Sequence, residues 1–125
     1  MGIEQRLREA RAKLTRLTPA QAERPLATGA LLIDIRSETQ RATDGTVPAA
    51  RYVPRNVLEW RLDPSSLSRD AELARSDGVV IVMCDEGYQS SLAAVTLQEL
   101  GVPGTTDLAG GFHAWRAAGL PVEPA

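Results

Sequence analysis

Two short apolar runs constrain the fold of this chain more than any other feature of its sequence. "ALLID" at 30–34 and "VVIVM" at 79–83 have the length of a strand and are apolar at almost every position, which is typical of strands buried on both faces. Segments with helical spacing lie between and after these runs. Strands that alternate with helices indicate a parallel sheet covered by helices on both faces. We therefore expect one compact α/β domain, because 125 residues are enough to bury a core.

The rest of the chain divides into further helices and short strands. Four apolar residues share one helical face and predict an amphipathic N-terminal helix: Ile3, Leu7, Leu14 and Leu17. A second helix should begin at the capping box of Thr18 and Gln21, with Pro19 at its first position, and end at Gly29. Six more elements are expected in chain order: a strand at 51–53, short helices within 56–62 and 68–77, a helix at 91–100, a strand at 105–108 and a last helix from 111.

Composition excludes several classes of function. A net charge of −2 without a basic stripe argues against nucleic-acid binding. One cysteine excludes an intramolecular disulfide, and a single histidine, His113, leaves no plausible zinc set, so we expect neither a metal nor a cofactor. No apolar run approaches the length of a membrane span, and charges occupy the place of a signal peptide's apolar segment. These features favour a cytoplasmic protein that binds no membrane.

The only cysteine, Cys84, directly follows the second apolar run. In open α/β sheets, ligands bind beyond the carboxyl ends of the strands. The loop at 85–90 is short and contains Gly87, so its amides can converge near the start of the next helix and form an anion site that favours a thiolate. A lone cysteine after an apolar strand is also often a small buried hydrophobic residue. Spacing alone leaves both interpretations open.

Four segments of the chain resemble a known family when they are taken together. In order they are "LLIDIRS", "DGTVPAARYVP", "VVIVMCDEGYQSSLAA" and "LAGGFHAWRAAGLPV". They are similar to the successive signatures of a rhodanese-like domain, over about residues 18–123. The resemblance implies a three-layer α/β/α domain at 18–125 around a central parallel sheet, with residues 1–17 as an extra N-terminal helix.

The resemblance also implies roles for single residues. Cys84 would be the nucleophile that carries sulfur as a persulfide, at the start of a six-residue loop. The substrate-binding amides that hold the sulfur anion would be those of Asp85, Glu86, Gly87, Tyr88, Gln89 and Ser90. Structural roles would fall to Asp34 and Arg36 after the first strand, and to Gly110, Gly111 and Trp115 near the C-terminus. His113 would be structural or face solvent.

Two departures from the family pattern concern the reactive loop. Basic residues are frequent in the family just after the cysteine and at the sixth loop position, where this chain has Asp85 and Gln89. An acidic loop disfavours the thiosulfate dianion as the natural donor. We expect the carboxylates of Asp85 and Glu86 to point outward to the rim, where they oppose the nucleophile least.

Three functions fit these residues to different degrees. The first is a sulfurtransferase that moves sulfur from thiosulfate or a persulfide to cyanide or a thiol. The second is a non-catalytic or regulatory interaction module, or a sulfur relay to a partner protein, although such modules have typically lost the cysteine. The third, a phosphatase or arsenate reductase, needs an arginine at position 90, which is Ser90. The partners expected are small sulfur compounds; a protein acceptor and the oligomeric state are left open.

Overall fold

Four parallel strands form the centre of the molecule in the computed structural model, which describes all 125 residues. They lie in the order β2-β1-β3-β4. β1 and β3 pair over four residues, from Leu31 opposite Val80 to Asp34 opposite Met83. The parallel sheet is confirmed, and all four carboxyl ends meet at one edge. The strands are β1 (Leu31–Asp34), β2 (Ala50–Tyr52), β3 (Val80–Met83) and β4 (Thr105–Asp107).

Helices cover both faces of this sheet. They are α1 (Ile3–Arg11), α2 (Pro19–Ala27), α3 (Glu38–Asp44), α4 (Leu58–Leu62), α5 (Gln89–Glu99) and α6 (Gly111–Ala117), with a 3-10 helix at Arg55–Val57. Successive strand residues face opposite sides: Val82 packs with Leu97 of α5, whereas Ile81 packs with Phe112 of α6. Each fully buried side chain of this size contributes about 1.5–3 kcal/mol to folding. The three-layer prediction is confirmed.

None of the helices combines the length and the apolar character needed to cross a membrane.

Side-chain caps decide where two of the helices begin. The Thr18 hydroxyl accepts from the Gln21 amide at 3.2 Å and the Gln21 side chain accepts from Thr18 N–H at 3.0 Å, which confirms the predicted start of α2. Ser37 and Gln40 form the same reciprocal box at the start of α3. No element was predicted for residues 36–45, so this helix was missed although its capping sequence is present.

The N-terminal helix is shorter than predicted. It ends at Arg11, and Leu17 lies instead in an extended segment, where it pairs with Leu108 in parallel orientation. Leu17 N–H donates to the Asp107 carbonyl at 3.1 Å, and its own carbonyl accepts from Ala109 N–H at 2.8 Å. Pairing with the sheet edge satisfies these backbone groups and overrides the helical spacing.

The helix predicted within 68–77 is absent. That segment forms successive turns around the buried Leu73. The carboxylate of Asp70 accepts from Glu72 N–H at 2.9 Å, and the Ser66 hydroxyl accepts from Ser68 N–H at 3.1 Å. Short polar side chains that bond nearby amides stabilise turns in competition with a helix. The prediction was wrong for this reason.

Helix α6 packs directly against the loop that follows Cys84. Phe112 N–H donates to the Cys84 carbonyl at 2.9 Å, and His113 N–H to the Asp85 carbonyl at 3.2 Å. A Cβ on Gly111 would lie 2.7 Å from the Asp85 carbonyl oxygen, so only glycine permits this approach. Trp115 is buried, and its indole donates to the Pro121 carbonyl at 3.0 Å. These contacts support the packing roles that the resemblance implied.

Candidate active site

Cys84 lies at the carboxyl end of β3, with β1 and β4 on either side of that strand. Its side chain packs in the apolar cluster beneath α5 and is only 2% exposed. The loop that follows is short, because α5 begins at Gln89, two residues earlier than predicted. The loop therefore has to turn tightly around the sulfur atom.

The backbone of this loop directs two of its amides toward the sulfur. Gly87 N–H donates to Cys84 Sγ at 3.1 Å and Ser90 N–H at 3.4 Å. Gly87 has φ of +87°, and a Cβ there would lie 2.8 Å from the nitrogen of Gly110. Only glycine can therefore occupy the centre of the loop.

Four further loop amides donate to no acceptor within the protein: those of Asp85, Glu86, Tyr88 and Gln89. With the two amides that already reach Sγ, they form a run of six consecutive donors from 85 to 90. The start of α5 adds the positive end of a helix dipole. The arrangement suits an anion attached to, or next to, the cysteine sulfur.

The two acidic side chains of the loop point in different directions. Glu86 is exposed at the rim, as expected. Asp85 turns back instead, and its Oδ2 lies 3.0 Å from His113 Nε2, so the expectation that both carboxylates face outward is wrong for Asp85. His113 is half-exposed and paired, and this contact with α6 explains why Asp85 does not reach solvent freely.

The tautomer of His113 follows from its second neighbour. Arg116 Nη2 lies 3.0 Å from His113 Nδ1. A guanidinium only donates, so Nδ1 accepts and Nε2 carries the proton that it donates to Asp85. Asp44 Oδ2 lies 3.8 Å from Nε2 as well, which makes Asp44, Asp85 and His113 a cluster with metal-ligand chemistry. A bound cation would require the proton on Nδ1, against the N–H of Arg116, so the geometry favours a hydrogen-bonded network over a metal site.

A buried polar network supports the loop from behind. Asp107, at the end of β4, is fully buried, and its Oδ2 accepts from the hydroxyls of Ser90 and Ser91, both at 2.8 Å. Arg16 pairs with the same carboxylate, with Nε 2.9 Å from Oδ1. The guanidinium of Arg11 donates to the Ser91 hydroxyl at 3.2 Å. Sequence reasoning missed this network, because nothing in the spacing connects residues 11 and 16 with residue 107.

A cleft of about 640 Å³ opens beside the loop, at the carboxyl ends of β1 and β2. Of its ten lining residues only two are hydrophobic, and the others include Gln40, Arg55 and Asn56, together with Gln89 from the first turn of α5. A small polar molecule in this cleft would lie next to the reactive loop.

Comparisons with known proteins agree with this architecture. A family model described as the rhodanese-like domain matches residues 18–118. The thiosulfate sulfurtransferase GlpE of Haemophilus influenzae (strain PittEE) is 31% identical over 109 residues, which cover 87% of this chain and 94% of that protein.

Two solved structures extend the similarity to nearly the whole chain. A protein of unknown function from Rhodopseudomonas palustris CGA009, described as a possible tyrosine phosphatase, is 33% identical with a TM-score of 0.89, over 98% of this chain and 95% of that one. The polysulfide-sulfur transferase homodimer of Wolinella succinogenes is 25% identical with a TM-score of 0.77, over 98% and 87%. The matched segment, the parallel sheet and the cysteine loop at its carboxyl edge agree, and this chain belongs to the rhodanese-like domain family.

Proposed function

We propose that this protein is a sulfurtransferase that carries a sulfane sulfur as a persulfide on Cys84. The observation that carries the proposal is the run of six consecutive amides after Cys84, of which two donate to Sγ and four have no acceptor within the protein. A persulfide adds one sulfur atom and keeps one negative charge, which is what unoccupied N–H donors beside the thiolate can hold. The names of the relatives in Haemophilus and Wolinella support the same class of reaction.

The reaction proceeds in two displacements at sulfur. The Cys84 thiolate attacks the outer sulfur of the donor, a new S–S bond forms, and the old bond breaks with its electron pair on the leaving group, which is sulfite from thiosulfate or a thiolate from a persulfide. The acceptor, cyanide or a thiolate, then attacks the terminal sulfur and releases the Cys84 thiolate. Neither displacement transfers a proton once the thiolate has formed, so neither step requires a general base. The cleft lined by Gln40, Arg55 and Gln89 gives the donor a route to the loop.

Intact-mass measurement tests this proposal directly. The parent protein, incubated with thiosulfate or with a low-molecular-weight persulfide, should gain the mass of one sulfur atom, and cyanide should remove it as thiocyanate. The Cys84→Ser variant should gain nothing while remaining folded. A parent protein that gains no sulfur from either donor would contradict the proposal and favour an interaction module.

A phosphatase is the second candidate, since the Rhodopseudomonas relative is described as a possible one. Transfer of a phosphoryl group needs a guanidinium inside the loop to grip the oxyanion. Ser90 stands at that position, and its hydroxyl donates to Asp107. Arg11 and Arg16 donate to the outward Gly87 carbonyl, and Arg11 also lies over the Tyr88 ring at 5.6 Å. We therefore expect aryl-phosphate hydrolysis to stay at background. Hydrolysis that disappears in Cys84→Ser would favour the phosphatase instead.

The setting of the reaction is part of the same proposal. A thiolate nucleophile has to stay reduced, so we propose a cytoplasmic protein. Exposed Glu86 and Tyr88 stand at the rim of the loop, where a partner protein with a basic patch could dock and exchange sulfur. Small sulfur compounds remain the proposed substrates, with a protein acceptor as the alternative.

A further inference from the structure

The segment that precedes the family match lies behind the reactive loop. α1 packs on α5, and the following residues run along the edge of β4, where Leu17 pairs with Leu108. The Thr106 hydroxyl donates to the Thr15 carbonyl at 2.8 Å and fixes the same stretch from the sheet side. Residues 11–17 are therefore held rigidly against the domain, although the family model begins only at residue 18.

Two guanidinium groups of this segment converge on one loop carbonyl. Arg11 Nη2 lies 2.8 Å and Arg16 Nη2 2.9 Å from the Gly87 oxygen, so both lone pairs of that oxygen are used. Each guanidinium is itself fixed, Arg16 by the buried Asp107 and Arg11 by the Ser91 hydroxyl. Hydrogen bonds from a charged donor are among the stronger ones in proteins, so the Gly87 carbonyl is held away from the sulfur.

The orientation of that carbonyl determines where the next amide points. A peptide group is planar and trans, so the N–H of Tyr88 points opposite to the C=O of Gly87. With the carbonyl held outward by the arginines, the Tyr88 amide is directed into the loop. The neighbouring Gly87 amide already donates to Sγ at 3.1 Å. Adjacent donors are thus directed to the place where an added sulfur would lie.

We propose that Arg11 and Arg16 are positioning residues for sulfur transfer: they fix the Gly87–Tyr88 peptide so that its amide faces the persulfide, and they bring positive charge to an acidic loop. This inference rests on the proposed function. The loop itself contains Asp85 and Glu86 and no basic residue. Arg16 is already paired with the buried Asp107. The Arg11 guanidinium forms no salt bridge of its own, so its positive charge offsets part of the loop's negative charge from the rear.

The experiment uses Arg11, because Arg16 also neutralises the buried Asp107. Arg11→Gln removes the positive charge and the paired guanidinium donors. Arg11→Lys keeps only the charge, and Arg8→Gln is the matched control. Arg8 is an exposed basic residue of the same helix with no side-chain hydrogen bond. The readouts are the rate of Cys84 alkylation by a neutral reagent at pH 7, the rate of sulfur loading by intact mass, and the thermal unfolding midpoint.

Arg11→Gln should slow both alkylation and sulfur loading about three- to tenfold, the range expected when a charged hydrogen bond to the loop is lost. Arg11→Lys should lie between Arg11→Gln and the parent, and Arg8→Gln should equal the parent. Rates equal to the parent in a folded Arg11→Gln would overturn the proposal. Should Arg11→Gln not fold, Arg11→Lys decides: an intermediate rate supports the positioning role and a parental rate contradicts it.

The two proposals fail in different ways. Alkylation needs no sulfur donor, so it tests the positioning of the loop even in a protein that loads no sulfur. A parent that alkylates rapidly but never gains sulfur contradicts only the proposed function. If the parent gains sulfur and Arg11→Gln gains it at the same rate, the result contradicts only the role of the arginines.

Discussion

Two buried aspartates stand at the carboxyl ends of strands in this molecule, and each is bound by an arginine in nearly the same way. After β1, Arg36 reaches Asp34 through Nε at 3.1 Å and Nη2 at 2.9 Å, and the same Nη2 donates to the Gly45 carbonyl at 2.8 Å. After β4, Arg16 reaches Asp107 through Nε at 2.9 Å and Nη2 at 3.2 Å. Its Nη2 also donates to a glycine carbonyl, that of Gly87, at 2.9 Å.

The two pairs differ in where the arginine comes from and what the glycine does. Arg36 follows its aspartate by two residues, is fully buried and stacks on Phe112 at 3.9 Å. Arg16 lies 91 residues before its aspartate and is 22% exposed. Gly45 ends helix α3, and its N–H donates to the Arg41 carbonyl, whereas the N–H of Gly87 donates to Sγ. The same bonding pattern therefore fixes the end of α3 at one strand and the Gly87 carbonyl of the cysteine loop at the other.

The largest effect should come from breaking the first pair. Arg36→Met keeps an unbranched side chain of similar length but leaves the Asp34 carboxylate buried. Its remaining partners are the backbone N–H of residue 36, at 3.0 Å, and the half-exposed Arg41, at 3.3 Å. Removing one partner of a buried pair costs about 3–5 kcal/mol. Denaturant unfolding should show a loss of that size, and the variant should express poorly.

A double variant separates the unpaired charge from the loss of packing. Arg36→Met with Asp34→Asn removes both charges and should recover part of the stability that Arg36→Met loses. Equal stability of the single and double variants would mean that contact with Phe112, rather than the charge on Asp34, accounts for the effect.

Breaking the second pair should cost less stability and more activity. Arg16→Gln leaves Asp107 with the hydroxyls of Ser90 and Ser91, which still donate to it. Because water reaches the partly exposed Arg16 site, we expect a loss of about 2 kcal/mol. Sulfur loading should fall at least as far as in Arg11→Gln, since Gly87 loses a donor and Asp107 its counter-charge.

Unfolding and sulfur loading, measured on the same preparation, check this contrast between the pairs. Sulfur loading should fall less in an Arg36→Met that remains folded at low temperature than in Arg16→Gln, because the Arg36 side chain hydrogen-bonds to Asp34 and Gly45 and not to residues 85–90. If the two variants lose stability and activity in the same proportion, the pairs have the same role and the distinction is wrong.

The first pair could be predicted from the sequence and the second could not. Asp34 and Arg36 lie two residues apart after an apolar strand, in a pattern that the family resemblance contains. Asp107 and Arg16 are connected only by the return of the N-terminal segment to the edge of β4. That return depends on backbone pairing of Leu17 with Leu108, which replaces the helix that the spacing of Leu14 and Leu17 predicted.

Local signals explain the other differences between sequence and structure. The sheet and the helices that cover it were predicted from the pattern of apolar residues. That pattern is clear because β3 is buried on both faces. The missed helix α3 carries a readable cap at Ser37 and Gln40. The turns at 68–77 depend on the competition of Asp70 with a helical backbone, and composition alone does not decide that competition. The direction in which the Asp85 side chain points depends on its contact with His113, which lies 28 residues later in the sequence.

A smaller effect separates the two acids of the loop. Neutralising both, with Asp85→Asn and Glu86→Gln, should raise kcat/KM for thiosulfate about three- to fivefold at low salt, because each carboxylate opposes the incoming dianion. The exposed Glu86 should supply the part that salt removes, since its field is screened. Asp85, which is half-buried against His113, should supply a part that persists at high salt.

Steady-state kinetics of the single and double variants at two salt concentrations test this division. An uncharged sulfur donor is the control, for which all variants should match the parent. A double variant no better than the parent at low salt would mean that the acids do not filter anionic donors.

The smallest effect concerns Arg41, the second arginine that contacts Asp34, and the Tyr52 ring beneath it. Arg41 lies 3.9 Å above the Tyr52 ring, and the Tyr52 hydroxyl is buried without a hydrogen-bond partner. Burial raises the pKa of this phenol above its ordinary value of 10.0, against the lowering effect of Arg41. A raised folded-state pKa means that the contribution of Tyr52 to stability is complete below pH 10 and is lost as the pH rises through the folded value.

Tyr52→Phe keeps the ring under Arg41 and removes the unpaired hydroxyl, so stability at pH 7 should stay equal or rise by up to about 1 kcal/mol. The loss of stability at alkaline pH should become shallower. Urea unfolding at neutral pH and above pH 10 measures both, with Tyr88→Phe as the control because Tyr88 is 61% exposed and should change neither. A Tyr52→Phe variant that is clearly less stable than the parent at pH 7 would show that the hydroxyl makes a favourable bond, and the pairing of Asp34 would then extend through Arg41 to Tyr52.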